Sequence, residues 1–283
     1  MAYEYLKVER TDGVLVLTLH DPPTRNALGR EMAAELMQAL DEYEQSAQDR
    51  MLVITGTDPS FCSGANVKQM GQSIEEREGG STEEEPRLPW GRMEAGLARR
   101  RGDTLGGGAA QVPLRIHELQ KPSLAAVNGH AYGVGMGVAI SCDIRIASEQ
   151  AAFAEAFVRM GLIPGDGSCW QLPHLIGMSN TFLMQYTGQA VDGQEAYRMG
   201  LASRVVPHEE LMPAAMELAT RLAHGATQSI SLIKYMVQKS MHTGMRESLQ
   251  LALIAQEEAR STEDHKEAVQ AFLEKRRPNF QGR

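Results

Sequence analysis

The chain has 283 residues, of which 42% are hydrophobic and 23% charged, and its formal net charge at pH 7 is −8. This length allows one large domain, or one domain with a small appendage. The acidic balance, without a long Lys/Arg block, argues against a protein that binds nucleic acid or a membrane surface. A polar N-terminus and an odd number of cysteines predict a cytoplasmic protein with free thiols, and no CxxC or HxxxH spacing indicates a metal site.

The first half of the chain alternates between strands and helices. Residues 13–19 are rich in Val and Leu and predict a strand, and 51–55, 123–127 and 144–147 predict further buried strands. Between the first two strands, the segment 31–45 carries one apolar face and predicts a helix. This face is formed by Met32, Leu36, Leu40 and Tyr43. The alternation predicts an α/β architecture with mostly parallel sheets.

Residues 71–112 are rich in charge, glycine and polar side chains, and predict a mobile surface insertion. The alternative is a lid over the substrate, in which Trp90, Met93 and Leu97 would line the pocket.

After Val206 the pattern is helical only, and we predict a core over 1–206 and a helical region over 207–283. The predicted helices are 208–224, 227–241, 243–260 and 262–276. Their apolar faces would pack on the core or on another subunit.

Two segments have the small residues that let a ligand approach the main chain. Residues 60–68 follow the strand 51–55, with small residues at 63–65. Residues 127–137 follow the strand 123–127 and open a predicted helix through 138–142, so that unpaired N–H groups are presented there. Taken alone, the second segment has two alternative interpretations. Its glycines could serve only helix–strand packing, or form a dinucleotide turn, although the spacing and the late position differ from GxGxxG.

Together these segments resemble the crotonase (enoyl-CoA hydratase/isomerase) superfamily, and the resemblance covers nearly the whole chain except 71–112. Five segments carry it. Residues 21–28 resemble the family's early loop, 61–68 its FxxGxDxK signature, 121–143 its KPxxAxxxGxxxGxGxxxxxxCD signature, 161–167 its GxxPxxG turn, and 194–206 its AxxxGLVxxVV segment. The resemblance implies a crotonase-like spiral of ββα units with a helical C-terminal oligomerisation region, assembled as a homotrimer or hexamer. It implies an acyl-CoA substrate and no separate cofactor.

The resemblance also assigns roles to matched residues. The backbone N–H groups of Ala65 and Val134 would form an oxyanion hole for the thioester oxygen. Arg25, Ala27, Ala65 and Lys68 lie in the segments that family members wrap around coenzyme A, with Arg25 as a phosphate partner. For Arg25 and Lys68 the alternative is a solvated surface charge.

The chain departs from the family where hydratases carry two catalytic glutamates. Those positions match Gly137 and Phe157 here, and neither residue can move a proton. Asp166 is the first candidate to replace them, although the Asp of family isomerases matches Gly165; alternatively, Asp166 only bonds its own turn. The second candidate is Glu155, on a segment that alternates like a strand, with an exposed strand carboxylate as the alternative.

The remaining candidates near the predicted site are less specific. His130 is a third candidate for proton transfer, with a structural role as the alternative. The apolar pocket or the core would contain Met136, Phe157, Met160 and Trp170. The predicted function is that of a double-bond isomerase or an atypical hydratase acting through an enolate. The alternatives are a β-dicarbonyl C–C hydrolase, a decarboxylase and a non-catalytic CoA-binding protein.

Overall fold

The computed structural model describes residues 3–66 and 111–283. Lys68 and most of the predicted insertion, including Trp90, Met93 and Leu97, lie outside these residues. The predicted end of the insertion at residue 112 is wrong, because a helix already begins at Gln111. Val112 and Ile116 are buried on this helix, one helical turn apart, and so belong to the core.

The strands of the described residues form two sheets. In chain order they are β1 (Leu6–Thr11), β2 (Val14–Leu19), β3 (Met51–Gly56), β4 (Ser60–Cys62), β5 (Ser123–Val127), β6 (His130–Tyr132), β7 (Ile144–Ser148), β8 (Ala152–Ala154), β9 (Val191–Asp192) and β10 (Arg204–Val206). The larger sheet has the order β1-β2-β3-β5-β7-β10, and only β1 and β2 pair antiparallel. The smaller sheet has the order β4-β6-β8-β9, with β8 and β9 antiparallel. The predicted strands are β2, β3, β5 and β7, and the mostly parallel α/β architecture is confirmed.

The helices connect these strands and then continue alone to the C-terminus. They are α1 (Arg30–Gln45), α2 (Gln111–His117), α3 (Val134–Ser141), α4 (Ser168–Thr187), α5 (Gly193–Arg198), α6 (Leu211–Ala223), α7 (Thr227–Ser240), α8 (Met245–Ser261) and α9 (Glu263–Leu273). Short 3₁₀ helices occur at Pro22–Thr24, Ala156–Met160 and His208–Glu210. The four predicted C-terminal helices correspond to α6–α9, each with its ends within three residues. The helical C-terminal region is therefore present, while its status as a separate domain stays a prediction.

The inner strands of the larger sheet are buried on both faces, which explains why β2, β3 and β5 are continuously apolar. Leu15 and Leu17 of β2 face the cluster that contains α1, whereas Val14 and Val16 face α6. By contrast, no residue of α7 or α8 is buried within the described chain. No helix among residues 3–66 and 111–283 is both long and apolar enough to cross a membrane.

Candidate active site

The two glycine-containing turns leave the smaller sheet side by side. Strands β4 and β6 run parallel, and Cys62 lies opposite Ala131 in their register. Ala65 lies three residues after Cys62, and Val134 lies three residues after Ala131. Because parallel strands end at the same edge of a sheet, both turns lie at that edge.

Glycine is required where the two turns touch. A Cβ atom at Gly135 would lie 2.5 Å from the carbonyl oxygen of Cys62, far inside the van der Waals distance. At Gly64, which has a φ of +110°, a Cβ would lie 3.0 Å from the carbonyl oxygen of Tyr132. The packing role considered for these glycines is therefore present, and it brings the backbones of the two turns into contact.

Within the described residues, the backbone amides of Ala65 and Val134 take no part in the hydrogen bonds of the fold. Leu28 donates its N–H to the carbonyl of Gly64 at 2.8 Å, and the N–H of Gly133 is donated to Ala154 at 2.8 Å. Val134 is the first residue of α3, so its N–H has no carbonyl one turn earlier in the helix to bond. Among the described residues, neither the Ala65 nor the Val134 amide donates a hydrogen bond.

The early loop is tied to the first turn by backbone and side-chain hydrogen bonds. Ser63 donates its N–H to Arg25 at 3.1 Å and its hydroxyl to Thr24 at 2.7 Å. The Arg25 side chain is exposed and makes no ion pair or hydrogen bond with the described part of the chain. Ala27 is buried, and its N–H is bonded to the hydroxyl of Thr24 at 3.1 Å.

Asn26 holds this loop in place, a role the sequence patterns did not identify. Its side-chain amide donates to the carbonyls of Thr57 and Ser60, both at 2.7 Å. Its side-chain oxygen accepts the N–H of Asp21 at 3.0 Å. Asn26 also adopts a φ of +60°, which asparagine tolerates better than most residues. An asparagine beside Arg25 was the available signal for such a turn.

Asp166 is buried, with 2% of its surface exposed. Its Oδ1 accepts the N–H of Ser168 at 3.1 Å and the Ser168 hydroxyl at 2.7 Å, so the predicted turn bonding occurs on this oxygen. Its Oδ2 is buried without a hydrogen-bond partner. Burial raises the pKa of Asp166, and the bonds from Ser168 act in the opposite direction. One oxygen is therefore structural and the other remains available for chemistry.

The carboxylate of Asp166 lies against the open side of α3. A Cβ atom at Gly137 would lie 2.7 Å from Asp166 Oδ2 and 2.8 Å from Asp166 Cβ. Asp166 therefore occupies the space that any side chain at position 137 would need. This is the position that the family resemblance assigns to a catalytic glutamate.

The exposed strand carboxylate considered for Glu155 is wrong, because Glu155 is 0% exposed. Strand β8 ends at Ala154, and Glu155 precedes the 3₁₀ helix Ala156–Met160 instead of continuing the alternation. Neither carboxylate oxygen of Glu155 has a hydrogen-bond partner in the described structure. Burial, and secondly the nearby charge of Asp166, raise the pKa of Glu155 well above its ordinary value.

The other candidate side chains divide between the turn, the core and the surface. The Phe157 ring lies 3.5 Å from where a Cβ at Gly133 would stand, next to the second turn. Met136 is fully buried, but Met160 is 61% and Trp170 37% exposed, so the last two are not core residues. Trp170 instead packs against the rings of three histidines, which are His117, His174 and His242.

His130 lies on β6 beside Tyr132, with the two ring centroids 5.1 Å apart in an edge-on arrangement. Its Nδ1 is buried and has no hydrogen-bond partner among the described residues. No described carboxylate or hydroxyl is therefore bonded to Nδ1 as a proton partner. The role of His130 in proton transfer stays a prediction.

Comparison with known proteins identifies the family and its fold. The sequence model of the family described as Enoyl-CoA hydratase/isomerase matches residues 9–110 and 93–283. A crotonyl-CoA hydratase from Syntrophomonas wolfei is 31% identical over 283 residues, 99% of each chain, and a short-chain-enoyl-CoA hydratase from Clostridium acetobutylicum is 33% identical over 95% of each chain. The crystal structure of an enoyl-CoA hydratase from Bacillus anthracis has a TM-score of 0.84 at 28% identity, covering 99% of this chain and 100% of that one. The chain therefore belongs to the enoyl-CoA hydratase/isomerase family, the crotonase superfamily that its motifs resemble, and it is an enzyme that acts on an acyl-CoA.

Proposed function

We propose that this enzyme moves a double bond within an enoyl-CoA, with Asp166 transferring the proton between carbon atoms. The observation that carries the proposal is the unpartnered, buried Oδ2 of Asp166 beside Gly137. A carboxylate with a raised pKa, aimed into the space of the missing glutamate, is suited to accept and return a proton near neutral pH.

The amides of Ala65 and Val134 would hold the thioester oxygen as negative charge develops on it. Their N–H groups are unbonded within the described chain, and the turns that carry them are in backbone contact. Preorganised donors of this kind each contribute roughly 3–4 kcal/mol of transition-state stabilisation in a dry site. The enolate so formed can be reprotonated at a different carbon, which completes the isomerisation.

An isomerase needs only one group that takes and returns a proton, whereas the family's hydratases use two glutamates to hold water. At the second of those positions Phe157 places a ring beside Gly133. An apolar ring offers a water molecule no hydrogen bond, which disfavours ordinary hydration. An atypical hydratase remains the second candidate, because Glu155 supplies another carboxyl group near Asp166.

Coenzyme A would be held by the early loop and the first turn. The guanidinium of Arg25 has no partner in the part of the chain that the structure describes, and it is suited to a phosphate. Ser63 and Leu28 tie its loop to the turn that contains Ala65. Ala27 and Ala65 would contribute main-chain contacts, and Lys68 stays a predicted contact. Coenzyme A is part of the substrate, so no separate cofactor is proposed.

The C-terminal helices would form contacts between copies of the chain, giving a homotrimer or hexamer. Large apolar side chains of α7 and α8 are exposed in the single chain, among them Ile233, Val237, Leu249, Leu253 and Ile254. Exposed apolar area of this extent favours burial against another subunit. A cytoplasmic location stays a prediction.

The proposed reaction can be tested with a 3-enoyl-CoA in deuterated buffer, followed by mass spectrometry. We expect deuterium at the α or γ carbon without addition of water. Asp166→Asn should lower kcat by at least about 100-fold, the usual contribution of a general base. Asp192→Asn is the matched control, because Asp192 is an exposed residue that caps the N-terminus of α5, and asparagine caps a helix equally well. Full activity in Asp166→Asn would overturn the assignment.

A further inference from the structure

Glu155 is a buried acid for which the proposed reaction has no use. Its residue is 0% exposed, and neither Oε1 nor Oε2 has a hydrogen-bond partner in the described structure. An ionised carboxylate without donors is among the least favourable groups to bury in a protein. The neutral acid is much less costly, and it has an O–H group to donate.

The fold places Glu155 next to the reacting region. Ala154 pairs with Tyr132, and its carbonyl accepts the N–H of Gly133 at 2.8 Å. Glu155 is therefore the residue next to Ala154, whose carbonyl holds the turn at Gly133 that precedes Val134. From the other side, α4 begins at Ser168 and packs on both α3 and the 3₁₀ helix Ala156–Met160, with Asp166 just before it. The two carboxyl groups are therefore held near β8 and the start of α4, close enough for the charge of Asp166 to raise the pKa of Glu155.

The donors around this pair are too few for two charges. The single hydroxyl proton of Ser168 is donated to Asp166 Oδ1 at 2.7 Å. Three buried carboxylate oxygens have no donor within residues 3–66 and 111–283, namely both of Glu155 and Oδ2 of Asp166. No lysine or arginine of the described residues bonds to either group. Two like charges in this setting cannot both be stable near neutral pH.

We propose that Glu155 is a positioning residue that holds the one proton of a Glu155–Asp166 pair, so that Asp166 alone is ionised and acts as the base. This inference rests on the proposed function of Asp166. Neutral Glu155 acts through Asp166 and does not contact the reacting carbons. Its task is to leave a single negative charge beside the site where the enolate forms.

The electrostatics agree with this order of ionisation. Burial and then the Asp166 charge raise the pKa of Glu155 well above its ordinary value, and the Ser168 hydroxyl lowers it. Burial also raises the pKa of Asp166, but no like charge adds to this increase, and both the hydroxyl and the N–H of Ser168 lower it. The other titratable group close to both is the Cys169 thiol. Burial and then the two carboxylates raise its pKa, so it adds no charge at neutral pH. As pH rises, Asp166 ionises first and Glu155 later.

The pH profile of isomerisation tests the pair. In the wild-type enzyme, kcat/KM should rise as Asp166 ionises and fall at higher pH as Glu155 ionises, because a second buried anion opposes the developing enolate. Glu155→Gln has nearly the same shape and cannot ionise, so the alkaline fall should disappear while the acid limb remains. An unchanged alkaline fall in a folded Glu155→Gln enzyme would overturn the proposal.

Infrared spectroscopy gives a second measurement that needs no activity. Substrate-free wild-type enzyme at neutral pH should show the carbonyl stretch of one neutral carboxylic acid, shifted by deuterium exchange and by ¹³C labelling of glutamate. The band should persist in Asp166→Asn. Its absence in the wild type would overturn the Glu155 assignment even if Asp166 proves essential. A band together with a fully active Asp166→Asn enzyme would instead overturn the proposed function of Asp166, and with it the inferred pair.

Discussion

At position 166, a three-residue turn satisfies one oxygen of a buried carboxylate and leaves the other without a donor. Ser168 gives both its N–H and its hydroxyl to Oδ1, and Oδ2 faces α3 at Gly137. The ordinary turn function of an aspartate and a proposed chemical function are therefore compatible in one side chain. They are divided between its two oxygens.

The raised pKa values of Glu155 and Asp166 predict how stability depends on pH. Both acids favour the neutral form more strongly when folded than when unfolded. Their favourable contribution is complete below the unfolded pKa values of about 4, and it is lost as pH rises through the folded-state values. The free energy of unfolding should thus fall towards neutral pH, by at most about 1.4 kcal/mol per pH unit for each acid.

Glu155→Gln removes one of these acids, so its free energy of unfolding should fall less steeply with pH than that of the wild type. The variant should therefore gain stability relative to wild type between about pH 5 and pH 8. Urea denaturation at several pH values measures it. Asp192→Asn serves as the control, since Asp192 is exposed. Parallel slopes for wild type and Glu155→Gln would contradict the burial argument.

The sequence indicated which acids to consider but not their surroundings. Asp166 was identifiable because it lies in a recognisable turn, and the alternative of turn bonding was also correct for one oxygen. The exposure expected for Glu155 was wrong, since alternation was extended past Ala154 into a 3₁₀ helix that no periodic pattern marks. Sequence periodicity also does not show that α4 packs on both α3 and this 3₁₀ helix.

At the scale of elements, two turns meet through glycines whose substitution should be costly. Gly135→Ala would place a Cβ 2.5 Å from a backbone carbonyl, and backbone atoms can shift only by moving β4 or α3. We expect a loss of at least about 1–3 kcal/mol of stability, as for other overpacked cores, together with reduced activity. Chemical denaturation and the isomerase assay measure the two effects.

Gly244→Ala provides the comparison for this prediction. Gly244 has open space around its Cβ position and a φ of −76°. Because glycine is a better N-cap than alanine, this replacement should itself cost roughly 0.5–1 kcal/mol, and the cost of Gly135→Ala should exceed it. Equal effects of the two substitutions would show that the contact between the turns is not tight.

Elements with a clear apolar run or face were predictable, whereas the 20-residue α4, strand β1 and the short strands were not identified. Strands β2, β3, β5 and β7 were identified from apolar runs, and α1 from a single apolar face over four turns. The smaller sheet was missed because its strands have only two or three residues each, too few to show a period. Yet this sheet sets the register of Cys62 and Ala131, from which the two unbonded amides are placed.

At the scale of the molecule, α7 and α8 expose apolar side chains that a single chain does not cover. Leu253→Glu on α8 would place a charge on this surface, where leucine is now 69% exposed. If another subunit covers it, the variant should have a lower molar mass by light scattering. Gln48→Glu adds a charge at an exposed position outside α7 and α8 and should leave the mass unchanged. The same mass for Leu253→Glu and wild type would exclude this face from the assembly.

The carboxylate of Asp166 and a side chain at position 137 compete for one volume. Gly137→Glu alone should therefore be poorly tolerated, because its first carbon would collide with Asp166. Combined with Asp166→Gly, the same glutamate finds room. A carboxylate can therefore reach the acyl chain from position 137 of α3 or from position 166 in the loop before α4, but not from both in this fold. If the carboxylate moves from one position to the other by single substitutions, the intermediate chain has either both carboxylates in poor packing or neither of them.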